Sequence, residues 1–441
     1  MLDEPLDFFP DQEGLLRFEC RNPKCFFATS DSQKLFNHEQ TCSSNTKIRC
    51  KQIAQHRPDE TIRNALVTEG IIPSPDWHNW HFACFDCECF MDVVEEVEGI
   101  PKSIHRLVSI GIKTSFGQKS EFYIERENME PLAVKSLVQE FVSTLIELRT
   151  KMLEFIPPTI IRGHKKYLEL TMSKDFKKLS VEAQDKARKK LSYLSAVLRL
   201  KVYSWNGERY DHNVVWAPLL DVLQSNEKEF KRLHIIRRGS GLMEFSYGSL
   251  VFQDFLNFSN PMSLDKFARS CGITGAGKTT FPYEMFGKIQ QLREVREFPK
   301  YPNFYSSLTN TNISYESELI NLCNEKFSAG IWTEAADINS FFGFSPELEF
   351  EISDRKILSI SSKTETSLKK ILHTSPLKYF ESKIVFKSEC ATMADYLRVY
   401  NLNDVILLEK CIRTYAKGFF DSWKVNIHSK MSLPGVAQGI V

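Results

Sequence analysis

No stretch of this chain is apolar for long enough to span a bilayer, and its start lacks the pattern of a secretory leader. A membrane-embedded or exported protein is therefore not expected. Neither sign of charge dominates, with 57 lysines and arginines against 56 acids over 441 residues. That balance excludes a surface coated uniformly with nucleic acid and leaves local basic patches to contact phosphate. Internal repeats and low-complexity segments are also missing. The 11 cysteines are odd in number and lack framework spacing, so the expected setting is reducing and intracellular. A chain of this length suggests about two or three domains.

What the sequence does contain is carboxylates in apolar company. Asp86 and Glu88 sit two apart inside HFACFDCECF. On a strand both project from one face, and two adjacent anions need compensation if they are even partly buried. A hard divalent ion, Mg²⁺ or Mn²⁺, supplies it. Asp211 follows the strand-like LKVYSW and the Asn206-Gly207 pair and opens an apolar segment of helical period. There it can cap a helix or lean toward a metal, and the sequence does not choose. Tyr400 and Asp404 are four apart on a helix expected from about Thr392 to Tyr415, hence on one face. Two ions roughly 3.5 to 4 Å apart would activate water and stabilise an in-line phosphodiester displacement. Four carboxylates also balance two divalent charges.

Taken in this order, the three clusters resemble the exonuclease motifs of family B DNA polymerases: D-x-E, then N-x-x-x-(F/Y)-D, then Y-x-x-x-D. Further details resemble the protein-primed branch, including polymerases of Polinton/Maverick elements and related viruses or plasmids. Ser263-Leu264-Asp265-Lys266-Phe267 is similar to its (S/T)-L-x-x-hydrophobic motif, and Lys278-Thr279-Thr280-Phe281 to its K-x-x-hydrophobic motif. FPYEMF, NFYSSLT, DYLRVYNLNDVILLE and SLPGVA also look like this group, so the resemblance runs from about Phe82 onward. It implies an α/β, ribonuclease H-like mixed sheet flanked by helices, acting as a proofreading 3′-5′ exonuclease of the type with four acids and a tyrosine. Asp86, Glu88, Asp211 and Asp404 are implied as ligands of two Mg²⁺ or Mn²⁺ ions, Tyr400 as the group orienting water, and Lys278 as a catalytic helper. Asn206, Tyr210, Ser263, Leu264 and Phe267 are implied to hold a single-stranded DNA 3′ end or primer-template, with a terminal priming protein as a further partner. Two departures stand out: one extra residue separates Asn206 from Asp211 relative to the bacteriophage form, and Cys89 replaces a common hydroxyl residue. Neither palm motif of the family, D-x-x-S-L-Y-P or Y-x-D-T-D, occurs here. The expectation is the N-terminal proofreading part of a polymerase without its synthetic half, nuclear if it derives from a eukaryotic mobile element.

Before this region, Cys20-x4-Cys25-x12-His38-x3-Cys42 has the spacing of a small structural zinc finger. The alternative is four unrelated residues in a loop. The expected organisation is a zinc-finger-like module and linker over 1–75, the exonuclease domain over 76–430, and the start of a palm region over 431–441. His78, His81, Cys84, Cys87 and Cys89 invite a second metal or redox reading. Alternation along the strand parts Cys84 from Cys87 and Cys89, which favours buried thiols.

Gly272 to Thr279 fits the phosphate-cradling pattern G-x-x-x-x-G-K-(S/T), but helical-looking SLDKFARSCG precedes it and Pro282 follows closely. A P-loop needs the reverse, a strand before and a helix after. Asp254 is expected to be a buried hydrogen-bonding acid rather than a fifth ligand. Basic runs occur at Arg162–Lys166, Lys186–Lys190, Lys231-Arg232 and Arg237-Arg238, where solvated helix faces are an equal explanation. Two readings from different classes follow, an active exonuclease and a nucleic-acid- or protein-binding remnant of one. The completeness of the acid set favours the first, because carboxylates costly without metal tend to be lost once catalysis is irrelevant.

Overall fold

The structure is a computed structural model that describes residues 9–10, 16–19, 28–29, 32–41, 58–97, 100–223, 233–273, 279–305, 315–344, 348–354, 356–362 and 368–440. The chain forms two compact units, Met1–Thr61 and Ile62–Val441. In the first, the short strands Phe9–Pro10, Leu16–Glu19 and Ala28–Thr29 make an antiparallel sheet, and helix Ser32–Thr41 carries a half-buried His38. Cys20, Cys25 and Cys42 of the expected zinc site lie outside the described residues.

The large unit begins within helix α1 (Pro58–Thr68). A three-strand meander follows, β1 (Phe82–Val97), β2 (Ile100–Thr114) and β3 (Glu121–Glu125). Next come the helices α2 (Pro131–Met152), α3 (Pro158–Met172) and α4 (Val181–Val197). They lead to β4 (Leu200–Ser204) and α5 (Asp211–Leu223). Strands β5 (Leu233–Arg238), β6 (Gly241–Tyr247) and β7 (Leu250–Asp254) complete a seven-stranded sheet of order β3-β2-β1-β4-β7-β6-β5. The sheet is mixed: β4 runs parallel to both β1 and β7, and the remaining pairs are antiparallel.

Alternation along β1 divides the core. Ala83, Phe85, Cys87 and Cys89 pack with Leu137, Phe141 and Leu145 of α2 and Val215 and Leu219 of α5. Phe82 and Cys84 pack on the other face with Val405, Leu408 and Cys411. Those three belong to helix α9, the 31-residue Met393–Trp423, whose capping box joins Thr392 and Asp395. Full burial of a phenylalanine such as Phe85 or Phe82 contributes about 1.5–3 kcal/mol.

Between β7 and α9 run helix α6 (Leu264–Ser270), helix α7 (Glu316–Ser328) and helix α8 (Pro376–Glu389). With the hairpin Leu348–Ser353/Lys356–Ser362, α7 and part of α8 enclose a separate aromatic core around Tyr301, Phe342 and Tyr379. Residues of α1, α3 and α4 share another core, including Leu66, Ile160, Tyr167 and Leu194. Among the described residues no helix is long and apolar enough to cross a membrane.

Candidate active site

The site forms where α9 crosses β1. The buried stripe of α9 is apolar at Leu397, Val405, Leu408 and Ile412, but Asn401 and Asp404 occupy the same stripe over Asp86 and Glu88. One carboxylate oxygen from each of Asp86, Glu88 and Asp404 lies within 4.8 Å of the others. Glu88 and Asp404 are buried and Asp86 is half-buried. Three anions this close in a poorly hydrated place repel one another, and an all-oxygen donor set of this kind fits a hard divalent cation.

Asn401 is fully buried and acts as a clamp on two of the acids. Its Nδ2 donates to Asp86 Oδ2 at 3.0 Å, to Glu88 Oε1 at 3.3 Å and to the Asp86 carbonyl at 3.2 Å. Room for it comes from Gly111, which pairs with Asp86 across the β1–β2 ladder. A Cβ at Gly111 would stand 2.4 Å from Asn401 Oδ1, closer than any side chain tolerates. The other oxygen of Glu88 accepts from the Tyr283 hydroxyl, whose ring lies 6.2 Å from that of Tyr400. Burial, then the Glu88 charge, pushes the Tyr283 phenol far up, and the neighbouring Tyr400 adds to the shift. Tyr400 is 6 % exposed and lies against Phe281 as well.

Asp211 enters from the neighbouring strand. The β1–β4 pairing ends at Cys84 and Tyr203, and the N–H of Cys87 beyond it donates to Asp211 Oδ1 at 3.1 Å. Burial holds the Asp211 carboxyl well above the usual carboxylate range, and the Asp86 charge adds to the shift. Asp211 is thus a neighbour of Asp86, outside the group of three whose oxygens converge. The turn that delivers it is sterically specified. Asn206 has φ 64°, a left-handed conformation that asparagine tolerates better than most residues. A Cβ at Gly207 would fall 1.9 Å from Ser204 Oγ. Glu208, buried and bonded to Arg238 at 2.6 and 3.1 Å, fixes the loop to β5, and its N–H donates to Asp254 at 3.0 Å. Asp254 also accepts from Leu256 N at 2.9 Å, which makes it a loop-bracing acid.

A cavity of about 440 Å³ opens beside the acids, lined by Asp86 and Asp404 together with Asn206, Ser263 and Leu264. Ser263 caps α6, accepting from Lys266 N at 3.4 Å. Phe267, also on α6, is buried and stacks at 4.9 Å on Trp205, whose indole forms part of the cavity wall. The structure therefore lines one space with Asp86, Asp404, Asn206, Ser263 and Leu264, brings Glu88 into the same carboxylate cluster, and sets Asp211 near Asp86, Tyr400 beside Tyr283 and Phe267 behind Trp205. Tyr210 is directed elsewhere: its hydroxyl meets His105 Nδ1 at 3.1 Å and it is not part of the lining.

Lys278 lies outside the described residues, as do 274–277 of the glycine-rich stretch. A helix, α6, leads into that stretch, and the nearest structure after it is a single 3₁₀ turn, Tyr283–Met285. The cysteines near the site are free, buried thiols, with Cys84 on one face of the sheet and Cys87 and Cys89 on the other. Burial raises all three thiols.

Sequence reasoning passed over Asn401, Gly111, Tyr283, Trp205 and Lys378. Lys378 lines the cavity and pairs with Asp265. Asn401 carried a usable signal, a polar residue on the apolar stripe of α9 between Tyr400 and Asp404. Tyr283 and Lys378 carried none, because only the tertiary fold brings them there. The chain matches no protein-family model and no curated protein.

Proposed function

We propose that this chain is a metal-dependent 3′-5′ DNA exonuclease of ribonuclease H-like architecture, the proofreading part of a protein-primed family B DNA polymerase. The observation that carries the reading is convergence. Asp86 and Asp404, 318 positions apart in sequence, line one cavity with Asn206, Ser263 and Leu264, and Glu88 joins the same carboxylate cluster. The meander β1-β2-β3 followed by the parallel strand β4 also supports it.

Asp86, Glu88 and Asp404 would hold divalent ions, with Asp211 beside Asp86 as a ligand or water-mediated partner. Bound Mg²⁺ or Mn²⁺ supplies charge neutralisation and a more acidic water for attack on the phosphodiester. The remaining work belongs to the protein. Asn401 and Tyr283 hold Asp86 and Glu88 in place, so the acids need little reorganisation when substrate arrives. Tyr400 is the group to orient the attacking water. Asn206, Ser263 and Leu264 seat the terminal nucleotide, with Trp205 as an aromatic wall for its base.

The test is digestion of a 3′-mismatched primer by the purified chain with Mg²⁺ or Mn²⁺. Stepwise shortening, lost in Asp86→Ala, is the expected result. A primer left intact under both metals overturns the proposal.

A further inference from the structure

The net charge of +1 hides a strong segregation. Residues 158–197, the α3–α4 helical hairpin, carry ten lysines and arginines against four acids, whereas the rest of the chain carries 47 against 52. Nine of the ten hairpin cations are exposed. On α3, Arg162, Lys165 and Lys166 share the side opposite the buried Ile160, Gly163 and Tyr167, and on α4 Lys186, Arg188 and Lys189 are exposed while Ala187, Lys190 and Leu194 are buried. The ion pairs Lys165–Glu169 at 3.8 Å, Lys178–Asp175 at 2.7 Å and Lys189–Asp185 at 2.7 Å are solvent-exposed and neutralise only part of this charge.

Like charges three and four apart on a helix destabilise it by about 0.2–0.5 kcal/mol per pair, so the excess works against folding of the hairpin. The frame beneath it is firm. Gly163 lets α3 sit on Ile71, where a Cβ would come within 2.5 Å of the isoleucine. The tenth cation, Lys190, turns inward and bonds Glu69 and Tyr167. A firmly framed hairpin with an excess of exposed, only partly neutralised cations, on an otherwise acidic chain, is complementary to a polyanion of fixed charge spacing.

From this we infer that the α3–α4 hairpin is a docking surface for the phosphate backbone of nucleic acid, separate from the acid cluster. The inference rests on the nuclease reading only in taking DNA as the anion. The hairpin ends at Val197, close before β4, whose five residues rise toward the Asn206 turn by about 17 Å. A backbone that touches both the end of the hairpin and the Asn206 turn extends over about five nucleotides.

The experiment measures fluorescence anisotropy of a labelled 20-base-pair duplex with a 3′ overhang, bound to the full chain carrying Asp86→Asn, across a salt series. Expected is salt-sensitive binding, and in the variant Lys165→Glu/Lys166→Glu/Lys186→Glu/Lys189→Glu a salt slope shallower by about three with at least tenfold weaker binding. A control, Lys369→Glu/Lys370→Glu, removes exposed lysines elsewhere and is expected to bind like the parent. Unchanged affinity and slope in the hairpin variant overturn the inference. So does poly-glutamate that competes as well as DNA at equal charge, which would make the face a general polyanion sink. Digestion separates the two proposals: with Asp86 intact, the hairpin variant should still trim a four-nucleotide single strand at the parent rate. If no protein trims any substrate yet duplex binding follows the hairpin lysines, the nuclease reading falls and the docking surface stands.

Discussion

The two faces of strand β1 are made from alternate residues of one short sequence and are held by opposite means. Toward α2 and α5, Ala83, Phe85, Cys87 and Cys89 sit in a core of apolar side chains, edged by the buried His212, and stabilise the fold by burial. Toward α9, Phe82 and Cys84 do the same, but Asp86 and Glu88 next to them meet Asn401, Tyr283 and Asp404. The first face is optimised for stability. The second sets aside stability to keep anions close together, which is worthwhile only if a cation and a substrate use them.

Substitutions can separate the two roles. The largest effect is expected from Phe85→Ala, which leaves a void between the sheet and α2 and should cost about 3–5 kcal/mol, read as a lower urea midpoint at unchanged slope. Asp86→Asn should do the reverse. Cleavage is expected to fall by about a thousandfold, equivalent to ~4 kcal/mol of transition-state stabilisation, while thermal stability holds or rises as repulsion is relieved. A lower melting temperature with full activity would show that the acids are structural.

The Asn401 clamp lies between these extremes. Gly111→Ala forces Asn401 away from the acids and should weaken Mn²⁺ binding, followed calorimetrically, by about 10–100-fold, with overpacking costing about 1–3 kcal/mol. Asn401→Leu should reproduce the loss of affinity without the clash at residue 111. Metal affinity unchanged from the parent in both variants would remove Asn401 from the site.

The smallest effect concerns histidine, because each face stacks one neutral imidazole on a phenylalanine of β1. His212 lies against Phe85 and His428 against Phe82. Burial pulls His212 down to about 4 and His428 to about 3. Both values lie below the ordinary 6.5, so the unfolded chain binds these protons more readily than the native one. Stability is therefore complete above about pH 6.5 and declines as the pH falls toward 4, by up to about 1.4 kcal/mol per unit for each histidine. The raised Asp211 carboxyl acts in the opposite sense, and comparing a variant with its parent cancels it. His428→Phe is expected to flatten the acid limb of a melting-temperature profile between pH 6.5 and 4. A profile identical to the parent would mean that His428 is protonated in the fold.

Much of the sheet could be read from the sequence, because strand alternation and helix periodicity are local. Strand β4, Leu200–Ser204, falls inside the strand-like LKVYSW and ends one residue short of it, and α9 starts at Met393, beside the expected Thr392. Strand β1 runs on to Val97, past the apolar HFACFDCECF, because its later residues pair with β2 despite their polarity, through register shifts after Glu88 and Val93. Helix α9 continues to Trp423 beyond the expected Tyr415, held by packing of Ala416 that no local signal marks. For the site, Asp86, Glu88, Tyr400 and Asp404 were legible as pairs sharing a face. Their meeting was not legible in any local pattern and came only with the resemblance, since it depends on α9 crossing the β1–β2 pair at Asp86 and Gly111. Tyr283 and Lys378 reach the site from a turn and from a distant helix, and spacing carries no trace of that.

The stacking of Trp205 on Phe267 has an optical consequence. One face of that indole is fixed against a ring and part of it borders the open space beside Asp86. Whatever occupies the space should alter its emission, so the protein carries an unlabelled reporter of its own occupancy.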